Sequence, residues 1–291
     1  MYGYSSKHQA ASLPTEDTRD QQSVVKSPLS INLLGTVEIS ANGQTIDLTA
    51  GRVRSLLALL SSAPQKSVSL DNIIDELYVH APSRNPRNAV QANVLRLRRL
   101  LQRATEYPEH DQLIKATPDG YMLALPQQTI DAHRFTNLLG QAMRLSQSAP
   151  NEAEKHVNSA LQLWRGPALS GTEGGLRIQA LATRLNSQRL DALELSCEIR
   201  LRLEPARNVV SDLEQFASES PERERLSELL MAALYRTGRQ REALETFRKV
   251  RSSLHRELGV EPGKTMQLLH CAILNQDPSI EKLLGFSQVW Q

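Results

Sequence analysis

The sequence predicts a mostly helical chain: an N-terminal winged helix-turn-helix with small antiparallel β elements, followed by an all-α, tetratricopeptide-like helical repeat unit. Three observations predict it. Between Ser30 and Leu125 the residue patterns run strand pair, three helices, strand pair. From Asp131 onward almost every segment carries helical apolar spacing, with Gly and Pro mainly at the junctions. A shift of 34 residues places Arg207 on Arg241, Val209 on Ala243, Val210 on Leu244, Leu213 on Phe247 and Phe216 on Val250. Thirty-four residues is the tetratricopeptide period, one helical hairpin per unit.

The elements follow in order. Residues 1–27 are polar and mix charges, with Lys7, Arg19 and Lys26 against Glu16, Asp17 and Asp20. Such a stretch offers too little apolar surface to offset its ordering entropy, so a disordered tail is expected, with no secretory signal. Ser30–Ser40 is rich in strand formers, and Asn42-Gly43 separates it from Gln44–Leu48. Asn and Gly both tolerate positive φ, so a hairpin is expected there. Arg52–Ser62 carries a helical apolar face that ends at Pro64. Ser69 caps a second helix, in which Leu70, Ile73, Ile74 and Leu77 recur at helical spacing. Tyr78–Pro86 reads as a loop, and Pro86 or Arg87 opens a third helix reaching about Thr105. Leu113–Leu125 reads as a second hairpin turning at Pro118-Asp119-Gly120. After a short linker, helices are expected at 131–147, 151–164, 175–203, 205–219, 222–237, 239–257 and 264–275. The expected division is a tail (1–27), a winged domain (28–126), a helical domain (131–278) and a second tail (279–291).

Composition bounds the function. Lys+Arg is 34 and Asp+Glu is 32, a net charge of +2, which excludes holding nucleic acid by bulk charge but allows a local basic site. The two cysteines, Cys197 and Cys271, stand in no metal-ligand spacing, so neither a disulfide framework nor a zinc site is expected, and a reducing cytoplasm fits. No apolar run approaches the roughly 18 residues of a membrane span. No nucleophile elbow or metal-spaced histidine appears, so neither an enzyme nor a cofactor is expected.

One segment departs from this balance. His80–Arg103 holds six arginines (Arg84, Arg87, Arg96, Arg98, Arg99 and Arg103) and no acid. On a helix, Val90, Val94, Leu97 and Leu101 form one apolar stripe. The opposite arc gathers Asn88, Ala92, Leu95, Arg96, Arg99 and Arg103, with Gln91 and Arg98 on a flank. That chemistry suits a DNA major groove, where Arg pairs with guanine and Asn or Gln with adenine. Recognition helices read bases mainly from their N-terminal half. Asn88, Gln91 and Ala92 are therefore assigned to bases, Arg96 to bases or phosphates, and Arg99 and Arg103 to phosphates; Arg87 and Arg98 belong to the same surface. Lys115, Thr117 and Tyr121 are wing candidates, although Tyr121 serves equally as a packed aromatic. Arg52, Arg54 and Ser69 stand near helix N-termini, where phosphate contact and plain surface or capping roles compete. An arginine-rich helix can also be a solvated face, or, in a helical-repeat interaction adaptor, can dock an acidic protein surface; the flanking hairpins favour DNA, and an activator and a repressor would share that DNA chemistry.

Other signals carry less. Gly263-Lys264-Thr265 lacks the first glycine and the strand of a phosphate loop. Gly171–Gly175 reads as a flexible inter-helix loop, Asp75-Glu76 as a solvated pair, His133 and His156 as surface or cap positions, and Trp164 as core.

These pieces together resemble the Streptomyces antibiotic regulatory protein family in its small form. The likeness runs through Leu34-Gly35, Arg52–Leu60, Ser69–Leu77, Asn88–Leu101 and Gly120-Tyr121 in the first unit. In the second it runs through Asp131–Phe135, Leu163–Leu169, Leu230–Phe247, Glu257–Pro262 and Ile273–Pro278, the pattern of a bacterial transcriptional activator domain. The resemblance covers about 28–278. It implies activation of a biosynthetic gene cluster, binding to direct repeats of double-stranded DNA, recruitment of RNA polymerase holoenzyme and a homodimer at least on DNA. By analogy with related winged regulators, polymerase contact is expected in the loop Tyr78–Pro86, at Tyr78, His80, Ser83, Arg84 and Asn85. The family often has Trp where this chain has Tyr78.

Overall fold

The computed structural model describes residues 29–104, 113–277 and 280. The tail expected at 1–27 and most of that at 279–291 lie outside the described residues.

The chain opens on a three-stranded antiparallel sheet: β1 (Leu29–Asn32), β2 (Glu38–Ala41) and β3 (Gln44–Asp47), in that order. The β2–β3 turn is Asn42-Gly43, with φ of 50° and 78°. The single strand expected over Ser30–Ser40 is instead two strands. The chain bends at Gly35, whose φ of +148° suits glycine, and a Cβ there would meet Arg165 Cβ at 3.1 Å. The bend exists because the second unit captures it. Arg165 N–H donates to Leu34 O (2.8 Å), Leu169 N–H to Leu33 O (2.9 Å) and Ser170 N–H to Gly35 O (2.9 Å).

Next come α1 (Gly51–Ser62), β4 (Val68–Ser69), α2 (Leu70–Tyr78) and α3 (Pro86–Ala104). The hairpin β5 (Ile114–Ala116) and β6 (Gly120–Leu123) closes the unit, with β4 added at its edge in the order β4-β6-β5. Ser69 caps α2 by accepting from Asn72 N–H at 3.3 Å.

A 3-10 turn at Gln127–Thr129 leads into the helical unit. Its helices are α4 (Asp131–Leu145), α5 (Pro150–Leu161), α6 (Leu176–Leu203), α7 (Arg207–Glu219), α8 (Glu224–Arg236), α9 (Gln240–Leu258) and α10 (Lys264–Leu274). The helices related by the 34-residue shift are α7 and α9, with α8 packed between them. Trp164 packs edge-on against buried Phe135, centroids 5.2 Å apart.

The apolar cores divide differently from the elements. One runs from Leu29 through α1–α3, the hairpin, α4 and α5 to Ile199 in α6. A second runs from Cys197 through α7–α10 to Ile280. Burial pushes the Cys197 thiol up to about 12, so it packs as a neutral side chain.

Two buried carboxylates fasten the winged unit to the helical one. Asp131, 3% exposed, accepts Leu33 N–H at 2.7 Å and Leu34 N–H at 3.0 Å. Burial pushes its carboxyl above the usual range, while these two amides and Arg165 pull it back down. Glu76 corrects the reading of Asp75-Glu76 as a solvated pair: Asp75 is exposed, but Glu76 is 5% exposed. The Glu76 carboxylate accepts Arg177 N–H (2.9 Å) and Ile178 N–H (3.1 Å), capping the first turn of α6. The loop Gly171–Gly175 is likewise pinned rather than free. Glu173 N–H donates to Ser55 Oγ (2.8 Å) and Gly175 N–H to Glu76 O (3.0 Å). His133, half-buried, joins α4 to α1 through Nε2 and Ser61 O at 3.1 Å, so it is not a surface position.

Candidate nucleic-acid interface

Local chemistry builds α3. Asn85 Oδ1 accepts Asn88 N–H at 3.3 Å, and Pro86 supplies a first helical residue that needs no donor. Val90, Val94, Leu97 and Leu101 are at most 1% exposed and hold the helix to the core. The opposite arc is exposed: Arg87, Asn88, Gln91, Ala92, Leu95, Arg96, Arg99 and Arg103. Among the described residues no carboxylate pairs with Arg87, Arg96, Arg99 or Arg103. Leu95 stands 51% exposed amid these cations. A thymine methyl offers such a side chain an apolar partner.

Arg98 departs from its expected place. Its guanidinium turns to the hairpin and donates through Nε (3.2 Å) and Nη2 (2.7 Å) to Ile114 O. It ties α3 to β5 instead of facing outward. Arg98→Ala should therefore lower stability by about 1.5–3 kcal/mol, the range for a charged hydrogen bond. Urea unfolding reads this, and a change under about 0.5 kcal/mol would mark the contact as idle.

At the wing, Lys115 is exposed and Tyr121 is half-buried against the core. Thr117 organises the tip: its Oγ1 lies 2.6 Å from Ser67 Oγ and accepts Gly120 N–H at 3.1 Å. Gly120 is forced by space, since a Cβ there would lie 2.0 Å from Val68 O.

The helix N-termini resolve separately. Arg52 stacks over the Tyr78 ring at 5.0 Å and lines a cleft of about 540 Å3 with Ala92 and Arg96. Arg54 is drawn inward instead, to Asp47 (3.2 Å) and Gly171 O (3.3 Å), which joins it to the helical unit. Ser69 is occupied by its cap.

In the α2–α3 loop, His80, Arg84 and Asn85 are exposed, and Ser83 Oγ accepts Asn85 N–H at 3.3 Å. Tyr78 corrects its assignment as a partner contact. It is 7% exposed, and its hydroxyl accepts from Asn93 Nδ2 at 3.1 Å. The ring supports the loop from beneath. Burial raises its phenol pKa, against the pull of Arg52.

Sequence reasoning missed Asn93, whose polar side chain gave no sign of burial. It also missed Glu173, which reaches the Arg52–Arg96 cleft from the helical unit.

A basic helix on a three-helix frame, braced by a β-wing, defines a winged-helix DNA-binding regulator. Residues 43–123 match the family described as "Transcriptional regulatory protein, C terminal", and residues 130–274 match "Bacterial transcriptional activator domain". The chain is 37% identical over 254 residues to the transcriptional regulator RedD of Streptomyces coelicolor, covering 87% of this chain and 72% of that protein. It is 32% identical over 259 residues to the regulatory protein DnrI of Streptomyces peucetius, covering 87% and 95%. Among solved structures, Mycobacterium tuberculosis EmbR in complex with a low-affinity phosphopeptide superposes with a TM-score of 0.81. That match is at 28% identity and covers 89% of this chain and 69% of EmbR. The chain belongs to the Streptomyces antibiotic regulatory protein family, a family of DNA-binding transcriptional regulators and not of enzymes. No helix among the described residues is long and apolar enough to cross a membrane.

Proposed function

We propose that this chain is a sequence-specific transcriptional activator of a secondary-metabolite gene cluster, acting in the bacterial cytoplasm. The observation that carries the reading is the exposed arc of α3, where amide side chains precede arginines that have no acidic partner among the described residues. Asn88 and Gln91 read base edges beside Ala92 and Leu95; Arg96 reaches bases or phosphate, and Arg87, Arg99 and Arg103 neutralise phosphates. Lys115 and the Thr117 tip follow the backbone at the wing, and Arg52 follows it from α1. Two protomers on a direct repeat need half-sites about one helical turn apart. The loop residues His80, Arg84 and Asn85, all exposed, and half-buried Ser83 suit contact with RNA polymerase holoenzyme.

A salt-titrated mobility shift on the DNA beside the chain's own gene, with scrambled DNA as competitor, tests this. Arg99→Ala should weaken binding to every sequence and reduce the salt slope by about one. Asn88→Ala and Gln91→Ala should each relax preference at one base position, costing about 1–3 kcal/mol there. Equal losses on cognate and scrambled DNA for all three variants would overturn the division of roles.

A further inference from the structure

A cleft of about 560 Å3 lies between the end of α1 and β4 on one side and the first turns of α6 on the other. Glu76 holds α6 to α2 at its cap, and beyond that point the two walls part. Arg177, Leu181 and Arg184 occupy one face of α6, at i, i+4 and i+7. Lys66 stands across from them, and Leu59, Val68 and Ile178, all buried, supply apolar floor.

The charge of this cleft is one-sided. Among the described residues, three cations line it and no carboxylate does. Arg177 donates to Asn72 Oδ1 at 3.0 Å, and Lys66 and Arg184 have no acidic partner among the described residues. The groove between α7, α8 and α9, about 450 Å3, is the opposite: Glu214, Glu242 and Glu245 line it with Lys249 as its cation.

We propose that the α1/β4–α6 cleft is an effector site for a small amphipathic anion, an aromatic or alicyclic body bearing a carboxylate or sulfonate. Its volume falls in the range of small-molecule sites. The apolar body takes the floor and the anion meets Lys66 and Arg184. A nucleic-acid backbone would satisfy the cations but has no apolar group for the floor. The cleft also has a route outward. Ser67 lines it, and Ser67 Oγ is the partner of Thr117 Oγ1 at the wing tip (2.6 Å). A ligand that engages Ser67 competes for that contact and so acts on the wing. Only this second step rests on the DNA-binding reading.

The test uses the full chain and 8-anilinonaphthalene-1-sulfonate as the probe. Expected is a saturable, one-to-one rise in fluorescence. The double variant K66A/R184A should weaken it at least tenfold, and K249A in the other groove should leave it unchanged. Both substitutions fall on exposed side chains, and near-UV circular dichroism checks that the variants stay folded. Absence of saturation, indifference to K66A/R184A or loss in K249A overturns the proposal. So does a K66A/R184A protein that loses DNA affinity and salt slope while binding the probe normally, since the cleft would then track phosphates. Probe saturation should shift operator affinity in the native chain and not in Ser67→Ala. An equal shift in both would overturn the route to the wing. The fluorescence titration stands whether or not the chain proves to bind DNA, so the two readings fail separately.

Discussion

Asp131→Ala should destabilise the chain by about 3 kcal/mol, because it leaves two buried backbone donors without acceptors at about 1–3 kcal/mol each. The donors are Leu33 N–H and Leu34 N–H, at 2.7 Å and 3.0 Å from the carboxylate. Arg165 adds less. Its Nη2 is 3.7 Å from Asp131, its side chain is 35% exposed, and it keeps Glu38 at 2.6 Å. The loss concerns both units, since Leu33–Gly35 is also where Arg165, Leu169 and Ser170 pair with the first sheet. Urea unfolding measures the effect. Asp131→Asn should recover part of it, since its single carbonyl oxygen serves one of the two amides. A loss below about 1 kcal/mol for Asp131→Ala would mean that the loop finds other acceptors.

Gly120→Ala should damage the wing. The added Cβ would lie 2.0 Å from Val68 O, 2.8 Å from Leu70 N and 2.9 Å from the Ser69 carbonyl carbon. All three are backbone atoms, so no rotamer relieves the clash and β4 must part from β6. Overpacking costs about 1–3 kcal/mol, occasionally more, and this site belongs at the upper end. Thr117 loses its place as well, because its Oγ1 accepts from Gly120 N–H. If the wing follows the DNA backbone as proposed above, DNA affinity should fall on cognate and scrambled probes alike. Gly140→Ala is the control: within α4 the nearest atom to a new Cβ is a mobile Arg144 Nη1 at 3.6 Å. There alanine should be neutral or stabilising by up to about 1 kcal/mol. Equal behaviour of the two variants would refute the steric argument.

What the sequence made legible was local. The α3 stripe of Val90, Val94, Leu97 and Leu101 follows from 3.6-residue spacing alone, and the β2–β3 turn follows from Asn42-Gly43. The basic arc opposite that stripe follows from the same geometry. Long-range partners left no trace. Asp131 meets Leu33 across 98 residues, Glu76 meets Ile178 across 102, and Glu173 meets Ser55 across 118. In isolation the Asp131 and Glu76 carboxylates look like solvated surface, and Glu173 makes its contact through a backbone N–H that its side chain does not announce. Strand β4 is two residues long, too short for any alternation to register. Arg98 lies on the flank of its helix, where phase alone does not choose between solvent and the Ile114 carbonyl.

The first core has a consequence for recombination. The seam near 126–131 looks like the place to exchange one DNA-reading head for another. A cut there would sever Asp131 from Leu33 and Leu34, Glu76 from α6, and Ile31 from Ile130. Both fragments would carry raw apolar faces. The unit that shares the first core is longer and ends near Leu203, where α6, a rod of about 42 Å, passes from the first core into the second. Chimaeras between relatives that respect this joint transplant a head together with its foundation.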